Sequence, residues 1–234
     1  MKRDAAHWGI PHPLILGHRG SPLLYPENTP RSFLAAIAAG ADGVEFDVQK
    51  NIDGRYVVVH NPPRGILGFE APGLIEVLEA LPREAYLDVE LKADTLSPAD
   101  SPRILEILQR NRETDRIMIS SFDLRLLPFF RQRGIVTGLL VNREFIKNGM
   151  ARFYILLFRL RPRFVNLPIQ ALSIIGERKT KAIARALRFF GFSLAFWTVN
   201  RAEDAQKILR FARVIITDDV PTIKGYLDGK SANP

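Results

Sequence analysis

Apolar positions along the chain fall into two alternating periods. Short β-branched or leucine-rich runs begin near residues 14, 43, 86, 116, 135, 163, 193 and 213, and stretches with apolar residues three and four apart lie between them. The helical spacing covers 31–39, 73–81, 102–113, 124–133, 143–160, 174–190 and 202–211. Eight strands alternating with helices predict a single (β/α)8 TIM barrel, with its core over about 14–227 of 1–234. An open doubly wound sheet is the alternative, but the chain carries no dinucleotide fingerprint.

One segment departs from the alternation. Val44–Val48 is followed by Asn51-Ile52-Asp53-Gly54 and then by Tyr56–Val59, a strand, a turn and a strand. This predicts a β-hairpin in place of the helix that would otherwise link the second and third barrel strands. Folded symmetrically about Asp53-Gly54, the hairpin sets Asp47 opposite His60.

The polar positions within the strands carry the chemistry. Glu45 and Asp47 lie two apart and share one face, while Val44, Phe46 and Val48 share the other. Asp88, Glu90 and Lys92 alternate in the same way with Leu87, Val89 and Leu91. Helices cover the outer face of an α/β sheet, so these charged faces look into the barrel. Carboxylates flanked by residues that favour burial need a cation or a metal to stay ionised. His18, Arg19, His60, Ser121, Trp197 and Asp218 also fall near strand ends or on the hairpin, where a barrel builds its working face. Gly17 and Gly20 bracket His18-Arg19 and allow a sharp turn and close ligand approach. Asn28 or Thr29 reads as the N-cap of the helix that Pro30 opens, and Glu27 as a residue that orients a neighbour.

Composition narrows the chemistry further. The chain contains no cysteine, so a metal here takes oxygen or imidazole ligands and no disulfide framework is present. No apolar run reaches membrane-spanning length, and the N-terminus lacks the apolar core of a secretion signal, which predicts a soluble, cytoplasmic protein. The net charge of +8 is concentrated in 143–188, where eleven Lys and Arg face only Glu144 and Glu177, a local net of +9 that points to an anionic partner.

The ordered set His18-Arg19-Gly20, Pro26-Glu27-Asn28-Thr29, Gly43-Val44-Glu45-Phe46-Asp47-Val48, Asp53-Gly54 with Val58-Val59-His60, Glu90-Leu91-Lys92, Ser121-Phe122, Trp197-Thr198-Val199-Asn200 and Ile216-Thr217-Asp218 resembles the glycerophosphodiester phosphodiesterase family. The resemblance implies metal-dependent hydrolysis of a small-molecule glycerophosphodiester to an alcohol and sn-glycerol 3-phosphate. It implies Glu45, Asp47 and Glu90 as ligands of one divalent cation, His18 and His60 as general acid and base, Arg19 and Lys92 as phosphate contacts, and Trp197 as an apolar wall. An all-oxygen ligand set suits Ca2+ or Mg2+. Two departures stand out: Asn61 follows His60 where the family has aspartate, and the stretch between His60 and Glu90 lacks the family's Arg-Thr-Thr-containing insertion, which leaves a more open site. Two other readings follow from the same residues. A lysophospholipase D would rest the run Phe153–Arg159 on an anionic membrane. A non-catalytic barrel would bind a polyanion through 143–188, although no nucleic-acid motif is present.

Overall fold

A computed structural model describes Trp8 and residues 13–61, 71–142, 155 and 157–231. The strands are β1 (Leu14–His18), β2 (Gly43–Lys50), β3 (Tyr56–Val58), β4 (Tyr86–Leu91), β5 (Ile117–Ser121), β6 (Val136–Leu140), β7 (Phe164–Pro168), β8 (Ser193–Trp197) and β9 (Ala212–Thr217). All but β3 pair in parallel, and β1 pairs with both β9 and β2, which closes an eight-stranded barrel. The strand starts fall within one residue of those the apolar runs predict.

The helices are α1 (Pro30–Ala38), α2 (Leu74–Ala80), α3 (Ser101–Asn111), α4 (Leu127–Gln132), α5 (Ala171–Ile174), α6 (Glu177–Phe189), α7 (Ala202–Ile208) and α8 (Val220–Ser231). Three differ from expectation. The helix predicted over 174–190 begins later, as α6 at Glu177, because Gly176 at φ 86° interrupts the spiral, and the short α5 precedes it. The hairpin arm β3 is present, and the connection from β2 to β4 also holds the short helix α2, so the hairpin precedes a helix instead of replacing it. The C-terminal helix α8 was not anticipated; Asp219 starts it by accepting from Thr222 N–H at 3.1 Å, and it buries Val220 and Ile223. Of the helix predicted over 143–160, only residue 155 and 157–160 lie among the described residues.

Strand alternation divides the apolar side chains into two cores. Outward residues such as Val44, Phe46, Val48, Leu87 and Val89 pack against the helices. Inward residues Leu16, Met118, Val136, Phe164, Ala195, Val214 and Ile216 fill the barrel. Trp8 closes the end at which the strands begin: its ring lies edge-on to Tyr86 and Phe164, with centroids 5.0 and 5.9 Å away. The opposite end, where the strands finish, stays polar. Gly43 permits the close approach of β2 to β4, since a Cβ there would sit 1.9 Å from the Tyr86 carbonyl oxygen.

Candidate active site

Register between neighbouring strands sets the inward carboxylates side by side. His18 at the end of β1 pairs with Glu45 on β2, and Asp47 on β2 pairs with Glu90 on β4. Each residue of these pairs is inward-facing, so the two rows of the sequence pattern meet at one point. Glu45, Asp47 and Glu90 offer carboxylate oxygens that all lie within 4.8 Å of one another, and all three residues are buried.

Two cations and one amide hold this cluster. Lys92 Nζ lies 2.7 Å from Asp47 Oδ1 and 2.6 Å from Glu90 Oε1. Arg19 Nε lies 3.2 Å from Asp47 Oδ2, and its Nη1 donates to Glu27 Oε2 at 3.0 Å. Arg19 takes a left-handed backbone, φ 53°, and its N–H points at Glu45, 3.1 Å from Oε2. Asn28 Nδ2 donates to Asp47 Oδ2 at 2.9 Å, while its Oδ1 accepts from the Asp47 N–H at 3.3 Å. The N-cap of α1 is Thr29, which accepts from Ser32 N–H at 3.2 Å. Asn28, for which the sequence suggested a cap, is instead a buried support for a candidate ligand.

The charge in the cluster is not balanced by protein groups. Burial raises the Asp47 carboxyl, but Lys92, Arg19 and the Asn28 amide outweigh it and hold that carboxyl below its ordinary value. Burial, reinforced by Asp47 and Glu90, pushes Glu45 well above the ordinary carboxylate range. Burial also pushes Glu90 up to about 7, against the pull of Lys92. Asp88, one inward position deeper and fully buried, is likewise pushed up to about 7 by burial. If all three ionised, Glu45, Asp47 and Glu90 would carry one more negative charge than Arg19 and Lys92 offset, and the raised values of Glu45 and Glu90 express that excess together with their burial. Glu45 feels the Arg19 guanidinium, and His18 Nε2 lies 3.9 Å from its Oε2. An all-oxygen, buried cluster with surplus negative charge fits a hard divalent cation.

The two histidines are held differently. His18 Nδ1 lies 2.7 Å from Asp218 Oδ1, and Asn200 Nδ2 donates to Asp218 Oδ2 at 2.7 Å. Asp218 is held below its ordinary value by these bonds, which outweigh its burial. An ionised carboxylate only accepts, so Nδ1 carries the proton and Nε2 is left for the cavity. His60 follows a corrected register. Lys50 pairs with Tyr56 and Val48 with Val58, so Asp47 stands opposite Val59, one residue from the expected partner. Strand alternation alone would turn His60 outward. The ladder ends at Val58, however, and Gln49 Nε2 gathers the carbonyls of Val59 and His60 at 3.0 and 2.6 Å, which brings the ring to the cavity. Burial lowers the His60 pKa despite the opposing influence of Asp47, so its imidazole is neutral near pH 7.

These groups surround one cavity of about 150 Å3, lined by His18, His60, Glu45, Glu90, Lys92 and Trp197 among others. Trp197 donates its indole N–H to the Asn166 carbonyl at 3.1 Å and meets Phe122 edge-on at 5.9 Å, forming an aromatic wall. Ser121, by contrast, points away from the cavity; it donates to the Leu91 carbonyl at 2.8 Å.

Residues 18–64, which hold His18, Glu45, Asp47 and His60, match the glycerophosphoryl diester phosphodiesterase family model. The chain is 27% identical over 245 aligned positions to a glycerophosphodiester phosphodiesterase of Caldanaerobacter subterraneus, covering 90% of this chain and 96% of that protein. The crystal structure of glycerophosphodiester phosphodiesterase from Thermotoga maritima superposes with a TM-score of 0.76 at 29% identity, covering 92% and 98% of the two chains. In sequence and in fold this chain is similar to glycerophosphodiester phosphodiesterases. A phosphodiesterase from Oleispira antarctica, solved with its product sn-glycerol-3-phosphate, shares the fold at 22% identity and a TM-score of 0.76, over 92% and 97% of the chains.

The eight residues singled out for the site lie together: His18, Arg19, Glu45, Asp47, Glu90, Lys92 and Trp197 on or just after β1, β2, β4 and β8, and His60 just after the hairpin arm β3. Sequence reasoning placed Asp218 on the working face without a partner, read Asn28 as a possible cap, and gave Asn200 no role. The signal for Asp218 was its place at the end of β9, beside β1; for Asn28 nothing in the sequence separates a cap from a buried support. Residues 62–70 of the shortened insertion lie outside the described residues, as do 153, 154 and 156 of the apolar run and 143–152 of the basic stretch. The rest of the run, Ile155 and 157–159, precedes β7 and so lies at the end opposite the cavity. It adds nothing to the walls of the site. Among the described residues, no helix is long and apolar enough to cross a membrane.

Proposed function

We propose that this chain, as a single TIM-barrel domain, hydrolyses glycerophosphodiesters to an alcohol and sn-glycerol 3-phosphate, with Glu45, Asp47 and Glu90 holding one Ca2+ or Mg2+. The observation that carries the reading is that three buried carboxylates with oxygens within 4.8 Å of one another stand beside one small cavity, which both histidines, Arg19 and Lys92 line. The product bound by the Oleispira antarctica enzyme supports the substrate class.

A divalent cation held by Glu45, Asp47 and Glu90 would supply positive charge against the phosphate. Arg19 and Lys92 add to it, and each is already aimed by carboxylates, so little ordering is needed when the phosphate arrives. His60, neutral near pH 7, accepts the proton of the attacking hydroxyl, whether that of water or of the substrate's own glycerol. His18, entering the step protonated on both ring nitrogens, gives its Nε2 proton to the departing alkoxide and returns to the Nδ1–H tautomer that Asp218 holds; the proton accepted by His60 returns to solvent, which recharges His18. Trp197 and Phe122 exclude water on the glycerol or leaving-group side.

The test is release of glycerol 3-phosphate from glycerophosphocholine and glycerophosphoethanolamine with Ca2+, with Mg2+ and with chelator, for the wild type and Glu45→Ala. Metal-dependent release that the substitution abolishes is expected. Turnover that survives both chelator and Glu45→Ala refutes the ligand assignment. Inactivity on both diesters together with release of choline-containing or ethanolamine-containing headgroups from lysophospholipids would transfer the site to a lysophospholipase D.

A further inference from the structure

We infer that the barrel end opposite the cavity is a docking surface for an anionic bilayer. Strands β7, β8 and β9 are neighbours in the sheet, so the segments that enter them lie side by side at that end. They present Phe189, Phe190, Phe158 and Ile155, which are 85%, 54%, 39% and 68% exposed. The rings form one cluster: Phe189 meets Phe190 at 5.4 Å and Phe190 meets Phe158 at 5.1 Å. Phe158 also meets the buried Phe192 at 5.9 Å, which anchors the cluster to the core. Contiguous exposed apolar surface of this kind marks a contact site.

The rim decides what makes the contact. Arg159, Arg161, Arg163, Arg188 and Arg210 are exposed on the same three segments, and 155–163, 185–192 and 208–213 contain no aspartate or glutamate. Aromatic rings flanked by guanidinium groups match a bilayer surface, where rings enter the acyl boundary and cations meet lipid phosphates. A second copy is disfavoured, because a two-fold contact would set the arginine rims against each other. A nucleic acid would satisfy the charge but leaves the anchored, outward phenylalanines without a buried environment. Seated in this way, the protein turns its catalytic mouth to the aqueous phase. It would then meet deacylated, water-soluble diesters, and a lipid in the same bilayer would lie at the wrong end of the barrel. This orientation rests on the proposed function; the docking itself does not.

The experiment is co-sedimentation of the full chain with vesicles of phosphatidylcholine alone and of phosphatidylcholine mixed with phosphatidylglycerol. Binding to the mixed vesicles only, weakened by salt, is expected. The pair Phe189→Ser with Phe190→Ser and the pair Arg159→Glu with Arg188→Glu should each lower the partition coefficient by about tenfold or more, with the circular dichroism spectrum unchanged and turnover of soluble diesters equal to wild type. The exposed arginine pair still decides the matter if the phenylalanine pair misfolds. The inference fails if the chain does not bind, if it binds neutral vesicles equally, or if neither pair weakens binding. It fails also if single-stranded nucleic acid outcompetes the vesicles, or if the phenylalanine pair converts a vesicle-free dimer to monomer. The vesicle readout needs no substrate, so an inactive wild type leaves it decisive.

Discussion

Asp218→Asn alters a single atom position of the site, and the neighbouring hydrogen bonds dictate how the new amide lies. Asn200 is fixed because its Oδ1 accepts from the Asp218 N–H at 2.9 Å and from Thr217 Oγ1 at 3.1 Å, so its Nδ2 must face the side chain of residue 218. The new amide would therefore turn its oxygen to Asn200 and its NH2 to His18 Nδ1. Nδ1 then has to accept, the ring proton moves to Nε2, and the neutral imidazole presents a donor where the reaction cycle requires an acceptor to be recharged. The lost charged hydrogen bond alone is worth about 1.5–3 kcal/mol, or roughly a 10- to 150-fold fall in kcat. Tautomer reversal in a Ser-His-Asp triad has cost about 10⁴, which bounds the effect from above. The assay is steady-state release of glycerol 3-phosphate, with cation affinity measured by calorimetry as a control, since Asp218 touches none of the three candidate ligands. Stability gives a second check. The Asp218 carboxyl sits below its ordinary value, so its contribution is present above about pH 4 and disappears as the pH falls through the folded value. The wild type should melt higher than the variant near neutral pH, and the two should converge in acid. A kcat within about twofold of wild type would refute the role given to the His18–Asp218 pair.

Three further substitutions test separate parts of the structure. Asn28→Ala removes both bonds to Asp47 and should weaken cation affinity by about 10- to 100-fold with a smaller loss of stability, read by calorimetry and thermal melting; unchanged affinity would count against the support role. Gly43→Ala would force a methyl group against the Tyr86 carbonyl and pry β2 from β4, so a loss of about 2–4 kcal/mol is expected in urea unfolding, and a neutral result would contradict the tight register. Asp100 accepts from Lys50 Nζ at 2.8 Å, the Tyr56 hydroxyl at 3.1 Å and the Ser97 N–H at 2.9 Å, bonds that overcome its burial and depress its carboxyl. Asp100→Asn should therefore destabilise the protein by about 1–2 kcal/mol near neutral pH and progressively less in acid, whereas an equal deficit at every pH would assign the loss to packing.

Strand positions were legible because each barrel strand is a short apolar run bounded by polar or glycine-containing segments, and burial on the helical side leaves little freedom in where such a run begins. The inward carboxylates were legible for the same reason: alternation on an α/β strand allows only one polar face. The hairpin register was not. Symmetry about Asp53-Gly54 sets position 47 against 60, whereas the real loop spans 51–55 and centres on Asp53, closed by Arg55 N–H donating to Asn51 Oδ1 at 2.8 Å. The Asn51 N–H to the Arg55 carbonyl at 2.9 Å and the Gly54 N–H to the Asn51 carbonyl at 3.0 Å close the same five-residue loop. Asn28 was misread because an asparagine before a helix has two local conformations; its left-handed φ of 59° aims the amide at β2 and leaves capping to Thr29. The apolar run near residue 155 was visible, but which end of the barrel it occupies follows only from where its segment meets β7.

The adjacency of β1 and β9 sets a condition on when this site can exist. His18 is made early during synthesis, and its partner Asp218 is 200 positions later. A nascent chain, or any fragment that stops before β9, has the carboxylate cluster and both histidines but lacks the group that fixes the His18 tautomer. Barrel closure therefore acts as a licensing step: the carboxylate that orients His18 arrives only when the last strand docks on the first.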